Sequence, residues 1–357
     1  MNRRNFLLAS LAATLPTATF GKSSLAMGQL LITGFRGTKP GDPEVDKVRG
    51  YLETGACAGV ILLRRNCTSP EQVTRLVSSF REAAGSFTPI VSIDQEGGRV
   101  ARLDAGNGFF DWMSARDIVT SGMSDAEIRA YWAERAWQLK KVGINLNFAP
   151  VVDLDINPAN PIIGKLGRSF GKNPARVAQL AELFIVAHRS AGVMTSLKHF
   201  PGHGSSTTDS HKETADVSGT WRLTELDPYA TLIQGGLVDS VMNGHLLHSS
   251  YSDTPYQPTS MSWNSVKAIR DLVFAGPIIT DDMQMAAVES IVPAAEAALA
   301  AVNAGNTFLI YSNYRKSDLI DTVVRIASSL TVNMDRMSST DVATQIELAR
   351  QFRSKLT

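Results

Sequence analysis

Short apolar runs alternate with longer amphipathic stretches from about residue 30 onward. The runs are LLITGFRG (30–37), AGVILLR (58–64), PIVSID (89–94), INLNFAPVVDL (144–154), VMTSLKHF (193–200), SVMNGHL (240–246), PIITDDM (277–283) and NTFLIYS (306–312). Each is rich in β-branched or large apolar residues, as strands covered on both faces are. The stretches between them read as helices. DPEVDKVRGYLETGA and SPEQVTRLVSSFREAAG each open with a capping Asp or Ser followed by Pro. DAEIRAYWAERAWQLKKVG, NPARVAQLAELFIVAHRSAG, SWNSVKAIRDLV and VPAAEAALAAVNAG follow, several ending in Gly just before the next run. SSTDVATQIELARQFRSKL reads as a closing helix.

Strict alternation of strand and helix over about 300 residues implies a parallel sheet. Eight repeats predict a single closed (β/α)8 barrel of the TIM type rather than an open doubly wound sheet. The first run ends in ITGFRGTKPGD, without the GxGxxG turn that usually marks the open fold. No linker or composition break divides the chain after residue 30, so one domain over 28–357 is expected.

A barrel carries its chemistry at the C-terminal ends of its strands. Polar groups gather there. The third run ends in Asp94 and continues QEGGRVAR. The fifth ends in Lys198-His199, the sixth carries Asn243 and His245, and the seventh ends in Asp281-Asp282. Charged groups at four apolar strand ends are costly in a core and sensible around a polar pocket.

Composition narrows the functional classes. Of 357 residues, 44% are hydrophobic and 19% charged, an ordinary globular mix, and the net charge is +1. Lys and Arg are scattered, so nucleic acid is not an expected partner. The first 27 residues, MNRRNFLLASLAATLPTATFGKSSLAM, follow another plan: Arg3-Arg4, an apolar stretch from Phe6 to about Leu15, then small residues. This is the plan of a signal peptide, RRNFLL resembles a twin-arginine export signal, and the apolar stretch is too short and interrupted to span a bilayer. It predicts a periplasmic or secreted protein with no stable membrane insertion of the mature chain. Cys57 and Cys67 flank AGVILLR; a strand of that length holds them about 25–30 Å apart, beyond disulfide reach.

Three of the six histidines lie in KHFPGHGSSTTDSH, residues 198–211. A metal site, a phosphate loop and a mobile catalytic loop compete to explain them. His199 and His203 have the i, i+4 spacing of helical metal ligands, but Pro201, Gly202 and Gly204 preclude a helix. No HExxH arrangement is present. PGHGSS lacks a GxxxxGK[ST] motif for phosphate. In the third reading Asp209 accepts from one nitrogen of His211, fixing the tautomer and leaving the other nitrogen to move a proton. Asp281, on another strand end at the same barrel mouth, adds a carboxylate nucleophile. The two together are the outfit of a retaining glycosidase. His203 reads as structural, PGHG as a hinge and SSTT as slack that lets Asp209 and His211 move.

KHFPGHG with the downstream DSH, DQEGGRVAR, GRSFG and ITDDMQM together resemble glycoside hydrolase family 3, most closely its β-N-acetylglucosaminidase branch. The resemblance covers about residues 30–330. It implies Asp281 as the nucleophile forming a glycosyl-enzyme intermediate, His211 as general acid/base and Asp209 as its orienting partner. It implies Asp94, Arg102, Arg168, Lys198 and His199 as the residues holding the sugar, with no metal or cofactor and a monomeric enzyme. The substrate class implied is a terminal β-linked GlcNAc on murein fragments or chitooligosaccharides. Relatives that cleave glucosides often add a second α/β domain supplying the acid. This sequence ends soon after its eighth helix, so the acid is expected from the barrel. Transfer to phosphate and a metal-dependent barrel hydrolase are the competing activities. One departure stands out: Ser205-Ser206 replaces the Asp usual after GHG.

Overall fold

In a computed structural model, which describes residues 26–210 and 214–357, ten strands follow one another. They are β1 (Leu31–Thr33), β2 (Gly59–Leu62), β3 (Ile90–Ile93), β4 (Leu146–Asn147), β5 (Met194–Phe200), β6 (Ala215–Asp216), β7 (Ser240–Asn243), β8 (Leu246–Leu247), β9 (Ile278–Asp282) and β10 (Phe308–Tyr311). Eight of them close a parallel barrel in the order β1-β2-β3-β4-β5-β7-β9-β10, and β10 returns to β1 through Leu31 opposite Leu309. Each of the eight apolar runs contributes one barrel strand. β6 and β8 form a separate two-stranded parallel sheet beside the barrel.

The strands are buried on both faces, as their near-continuous apolar sequences require. β4 is much shorter than its run. Pro150 brings no N–H to a ladder, and beyond Asn147 the regular pairing with β5 gives way to an isolated bridge of Val151 to Lys198. Side-chain amides take over there. Asn145 Oδ1 accepts from the Val91 N–H (2.8 Å), and Asn147 exchanges hydrogen bonds with the backbone of Gln95 (2.9 Å each).

Helices span Pro43–Thr54, Pro70–Ala84, Asp125–Lys141, Pro174–Ser190, Trp263–Asp271, Ala294–Ala304 and Ser339–Ser354, at the seven predicted stretches. Ser69 and Asn173 cap theirs through the side chain. Asp42 stands at the cap position of the first, but its carboxylate turns back to accept from the Thr38 and Lys39 N–H groups (2.7 and 3.2 Å). Helices Asp227–Gln234 and Thr322–Val332, and the short helices Ala115–Thr120 and Ala286–Glu289, lie outside the seven predicted stretches. The first of these has only eight residues, too few for a periodic pattern to stand out.

Cys57 and Cys67 are free and buried, and burial pushes both thiols up to about 12. The signal-peptide reading falls on residues that, up to position 25, lie outside those described. Met27 and Leu30 are already in the core. Among the described residues no helix is long and apolar enough to cross a membrane.

Candidate active site

The βα turns after β3, β4 and β5 converge at the barrel mouth, where strand-end residues build a buried network of charge. Asp94 follows β3 directly. Its Oδ1 accepts from Lys198 Nζ (2.9 Å) and its Oδ2 from Arg102 Nη2 (3.2 Å). Two residues on, Glu96 receives Lys198 Nζ on Oε1 (2.7 Å) and Arg168 through two parallel bonds of 2.7 Å. Such fork-to-fork pairing fixes the guanidinium plane as well as its position. Arg168 also donates to the Ile162 carbonyl (3.0 Å) and approaches His199 Nε2 (3.4 Å).

His199 is held from behind by Asp153. Asp153 Oδ2 lies 2.7 Å from His199 Nδ1, and its Oδ1 accepts the backbone N–H groups of His199 (3.2 Å) and His203 (2.8 Å). The Nδ1–H of His199 therefore points to Asp153, which leaves Nε2 toward Arg168 as the acceptor. Lys198, His199, Asp153 and Arg168 are all buried.

Charge balances inside this cluster: Asp94, Glu96 and Asp153 face Arg102, Arg168 and Lys198. Burial pushes Asp94 up, but Lys198 and Arg102 outweigh it and hold the carboxyl below its ordinary value. Burial acts likewise on Glu96, and Arg168 and Lys198 override it more strongly. Asp153 is lowered against burial by His199. Lys198 and Arg168 are raised by the same partners, again against burial. The cluster is thus ionised throughout, a rigid set of charged donors and acceptors suited to the hydroxyls of a polar ligand.

On the opposite wall β9 ends in Asp281-Asp282. Asp282 accepts from the Ser312 N–H (3.1 Å) and the Gln284 N–H (3.1 Å) on Oδ1, and from the Ser312 hydroxyl on Oδ2. Burial raises this carboxyl to about 6; the Ser312 bonds oppose the rise and the Asp281 charge adds to it. Neighbouring side chains of a strand point to opposite faces, so Asp281 lies on the other face of β9 from Asp282. Its Oδ1 accepts the Asp282 N–H (2.8 Å). His245 links the same corner, with Nε2 at 2.9 Å from the Asp282 carbonyl and Nδ1 at 2.6 Å from Ser260 Oγ. Asn243 goes elsewhere: it bonds Thr259 and Ser265 in the outer layer.

The loop after β5 departs from the sequence expectation. Ser205 and Ser206 are buried, not slack. Ser206 Oγ is bonded to the carbonyl and N–H of Thr208 (2.9 and 3.2 Å), and its own carbonyl accepts from Asn157 (2.9 Å). His203 Nε2 then ties Ser210 Oγ at 3.0 Å. The chain is thus anchored on both sides of Asp209, because two neutral hydroxyls in place of a carboxylate can be buried without a counter-charge. His203 is structural, as expected: burial, then the neighbouring His199, push its imidazole down to about 4, so it stays neutral. His211 lies outside the described residues.

Sequence reading brought Asp94, Arg102, Arg168, Lys198 and His199 to one site, and the fold does place them together. It missed Glu96 and Asp153, the two carboxylates that organise the cations and both histidines. Asp153 is the last residue but one of the run 144–154, close to where Asp94 stands in the run 89–94, so the strand-end rule could have found it.

The sequence profile of the glycosyl hydrolase family 3 N-terminal domain matches residues 26–344. The chain belongs to glycosyl hydrolase family 3. It is a glycoside hydrolase, with the family's barrel. Among similar curated proteins, a β-hexosaminidase of Tolumonas auensis is 35% identical over 272 residues, covering 75% of this chain and 79% of the relative. One from Stenotrophomonas maltophilia is 34% identical, covering 73% and 76%. Among solved structures, a family 3 β-N-acetylglucosaminidase from Paenibacillus superposes with a TM-score of 0.84 at 28% identity. That match covers 93% of this chain but only 62% of the Paenibacillus chain. A β-N-acetylhexosaminidase from Beutenbergia cavernae gives 0.81 at 26% identity, covering 94% and 99%.

Proposed function

We propose that this family 3 hydrolase is a retaining exo-β-N-acetylglucosaminidase that releases terminal β-linked GlcNAc from murein fragments or chitooligosaccharides. The β-hexosaminidase relatives support the sugar. The observation that carries the nucleophile is the commitment of Asp282 to Ser312 and Gln284, which turns Asp281 to the other face of β9. Asp94 accepts from sugar hydroxyls, while Lys198 and Arg168, held by Glu96, donate to them. Asp281 attacks the anomeric carbon as His211 protonates the departing oxygen. Water then displaces Asp281 as His211 takes its proton, and Asp209 keeps the imidazole in the working tautomer. Configuration is retained because two inversions occur.

The test is hydrolysis of aryl β-GlcNAc and aryl β-glucoside by wild type, Asp281→Ala and His211→Ala. GlcNAc release should fall by roughly 10³-fold or more in the first variant. In the second it should fall by roughly 10²–10⁴-fold. Full activity of Asp281→Ala would overturn the mechanism, and faster cleavage of the glucoside would overturn the substrate. We propose also that the N-terminal segment exports the protein to the periplasm or medium. Replacing Arg3 and Arg4 by Lys should retain it in the cytoplasm on fractionation.

A further inference from the structure

The loop that leaves β3 through Asp94 is tied back to its own start by one side chain. Gln95, fully buried between Asp94 and Glu96, turns its amide toward the returning residues 102–103. Its Oε1 accepts the N–H groups of Arg102 (2.8 Å) and Leu103 (3.1 Å), and its Nε2 donates to the Leu103 carbonyl (2.7 Å). The amide thus satisfies backbone groups that an adjoining strand would otherwise pair. The guanidinium of Arg102 reaches Asp94 through Nη2 (3.2 Å), while its Nε has no hydrogen-bond partner among the described residues. Arg102 is held more firmly through its backbone, by Gln95 at the N–H and by Asn107 Nδ2 at the carbonyl (2.9 Å).

Gln95 is itself held from the interior. Asn147, at the end of β4, accepts the Gln95 N–H on Oδ1 and donates to the Gln95 carbonyl from Nδ2, at 2.9 Å each. The same Nδ2 lies 3.2 Å from Nε2 of His188, which is fully buried in the helix Pro174–Ser190. His188 Nδ1 is 2.9 Å from the Phe184 carbonyl, which can only accept. The ring proton therefore sits on Nδ1, and Nε2 accepts from Asn147. Burial pushes the imidazole down to about 4, so above that pH it stays neutral and keeps Nε2 as an acceptor. An inverted Asn147 amide would set its oxygen against both His188 Nε2 and the Gln95 carbonyl. The ring is stacked on Phe184, with centroids 3.9 Å apart, and packs 5.8 Å from Trp112, whose carbonyl accepts the Gly98 N–H (2.9 Å). We propose that Gln95 and His188 are positioning residues for sugar binding: Gln95 sets Arg102 beside Asp94, and His188, acting through the Asn147 amide, sets Gln95. Both are fully buried, so they act through Arg102 and not by touching the sugar.

This inference rests on the reading of Asp94 and Arg102 as sugar-holding residues, and kinetics on aryl β-GlcNAc separate the two. Gln95→Met, of similar length but without the amide, should raise KM by about tenfold or more and change kcat by less than about threefold, as loss of binding common to ground and transition states does. His188→Phe keeps a ring on Phe184 and removes the acceptor; it should raise KM by about threefold with kcat nearly unchanged. Added to Gln95→Met, it should raise KM by less than about 1.5-fold further, because members of one hydrogen-bonded network are not additive. A merely structural role would lower the melting temperature and the active fraction, and leave KM unchanged. If Gln95→Met does not fold, the same cycle is run between His188→Phe and Asn147→Ser. An unchanged KM in either single variant, or effects that multiply independently in the double variant, would overturn the proposal. If Arg102→Ala itself leaves KM unchanged, the reading of Arg102 as a sugar-holding residue fails instead.

Discussion

Glu96→Gln tests the idea that charge balance, rather than any one contact, holds the sugar-binding wall. Glu96 accepts three charge-assisted bonds, two from Arg168 and one from Lys198, each 2.7 Å long. The variant is nearly isosteric but keeps only one oxygen, and its amide N–H groups face donors. It also leaves the cluster with Asp94 and Asp153 against Arg102, Arg168 and Lys198, one buried positive charge in excess. Removing one member of a buried ion pair costs about 3–5 kcal/mol, because the orphaned ion stays desolvated. That is a large share of the roughly 5–15 kcal/mol typical of folded proteins. Urea unfolding at pH 7 should show a loss in that range. KM for aryl β-GlcNAc should rise with it, as Arg168 and Lys198 lose their orientation. The sign with pH is also set. The Glu96 carboxyl lies below its ordinary value in the fold, so its contribution is complete above about pH 4.5 and fades as pH falls below it. The gap between wild type and variant should therefore narrow in acid. A loss under about 1 kcal/mol with an unchanged KM would refute the reasoning.

Other expectations follow from the same geometry. Gly204→Ala sets a methyl group against the Leu154 carbonyl, and thermal melts should show it strongly destabilised or unfolded. Glu225 is raised from its ordinary 4.5 to about 7, so its protonated form favours the fold at low pH and that benefit disappears as pH climbs from 4.5 to 7. Glu225→Gln should therefore gain on the order of 3 kcal/mol relative to wild type between pH 5 and pH 8, read from urea midpoints; an equal gap at both values would contradict it. Ser312→Ala removes a donor that holds Asp282 down, so the Asp282 carboxyl should titrate at still higher pH by isotope-edited infrared spectroscopy.

Much of this enzyme was legible in its sequence. Eight apolar runs, each short and covered on both faces, admit little but a parallel barrel, and the barrel rule then picks out Asp94, Lys198, His199 and the pair Asp281-Asp282 at strand ends. Spacing alone offered Asp209 and His211 as a proton-moving pair, and motif resemblance added Arg102 and Arg168 and chose Asp281 over Asp282. Pairing was not legible. That Glu96 would hold Arg168, 72 positions away, and Lys198 depends on how β3 and β5 are staggered around the barrel. Asp153 meets His199 and His203 only because β4 stops at Asn147 and its continuation runs beside Lys198. Ser205 and Ser206 look like slack in the chain, and become buried only when PGHG packs between Leu154 and Glu225. Local pattern determines which residues reach the mouth of the barrel, since strand and helix periodicity are local properties. Which charges meet there is decided by contacts between distant segments, and those exist only once the barrel has closed.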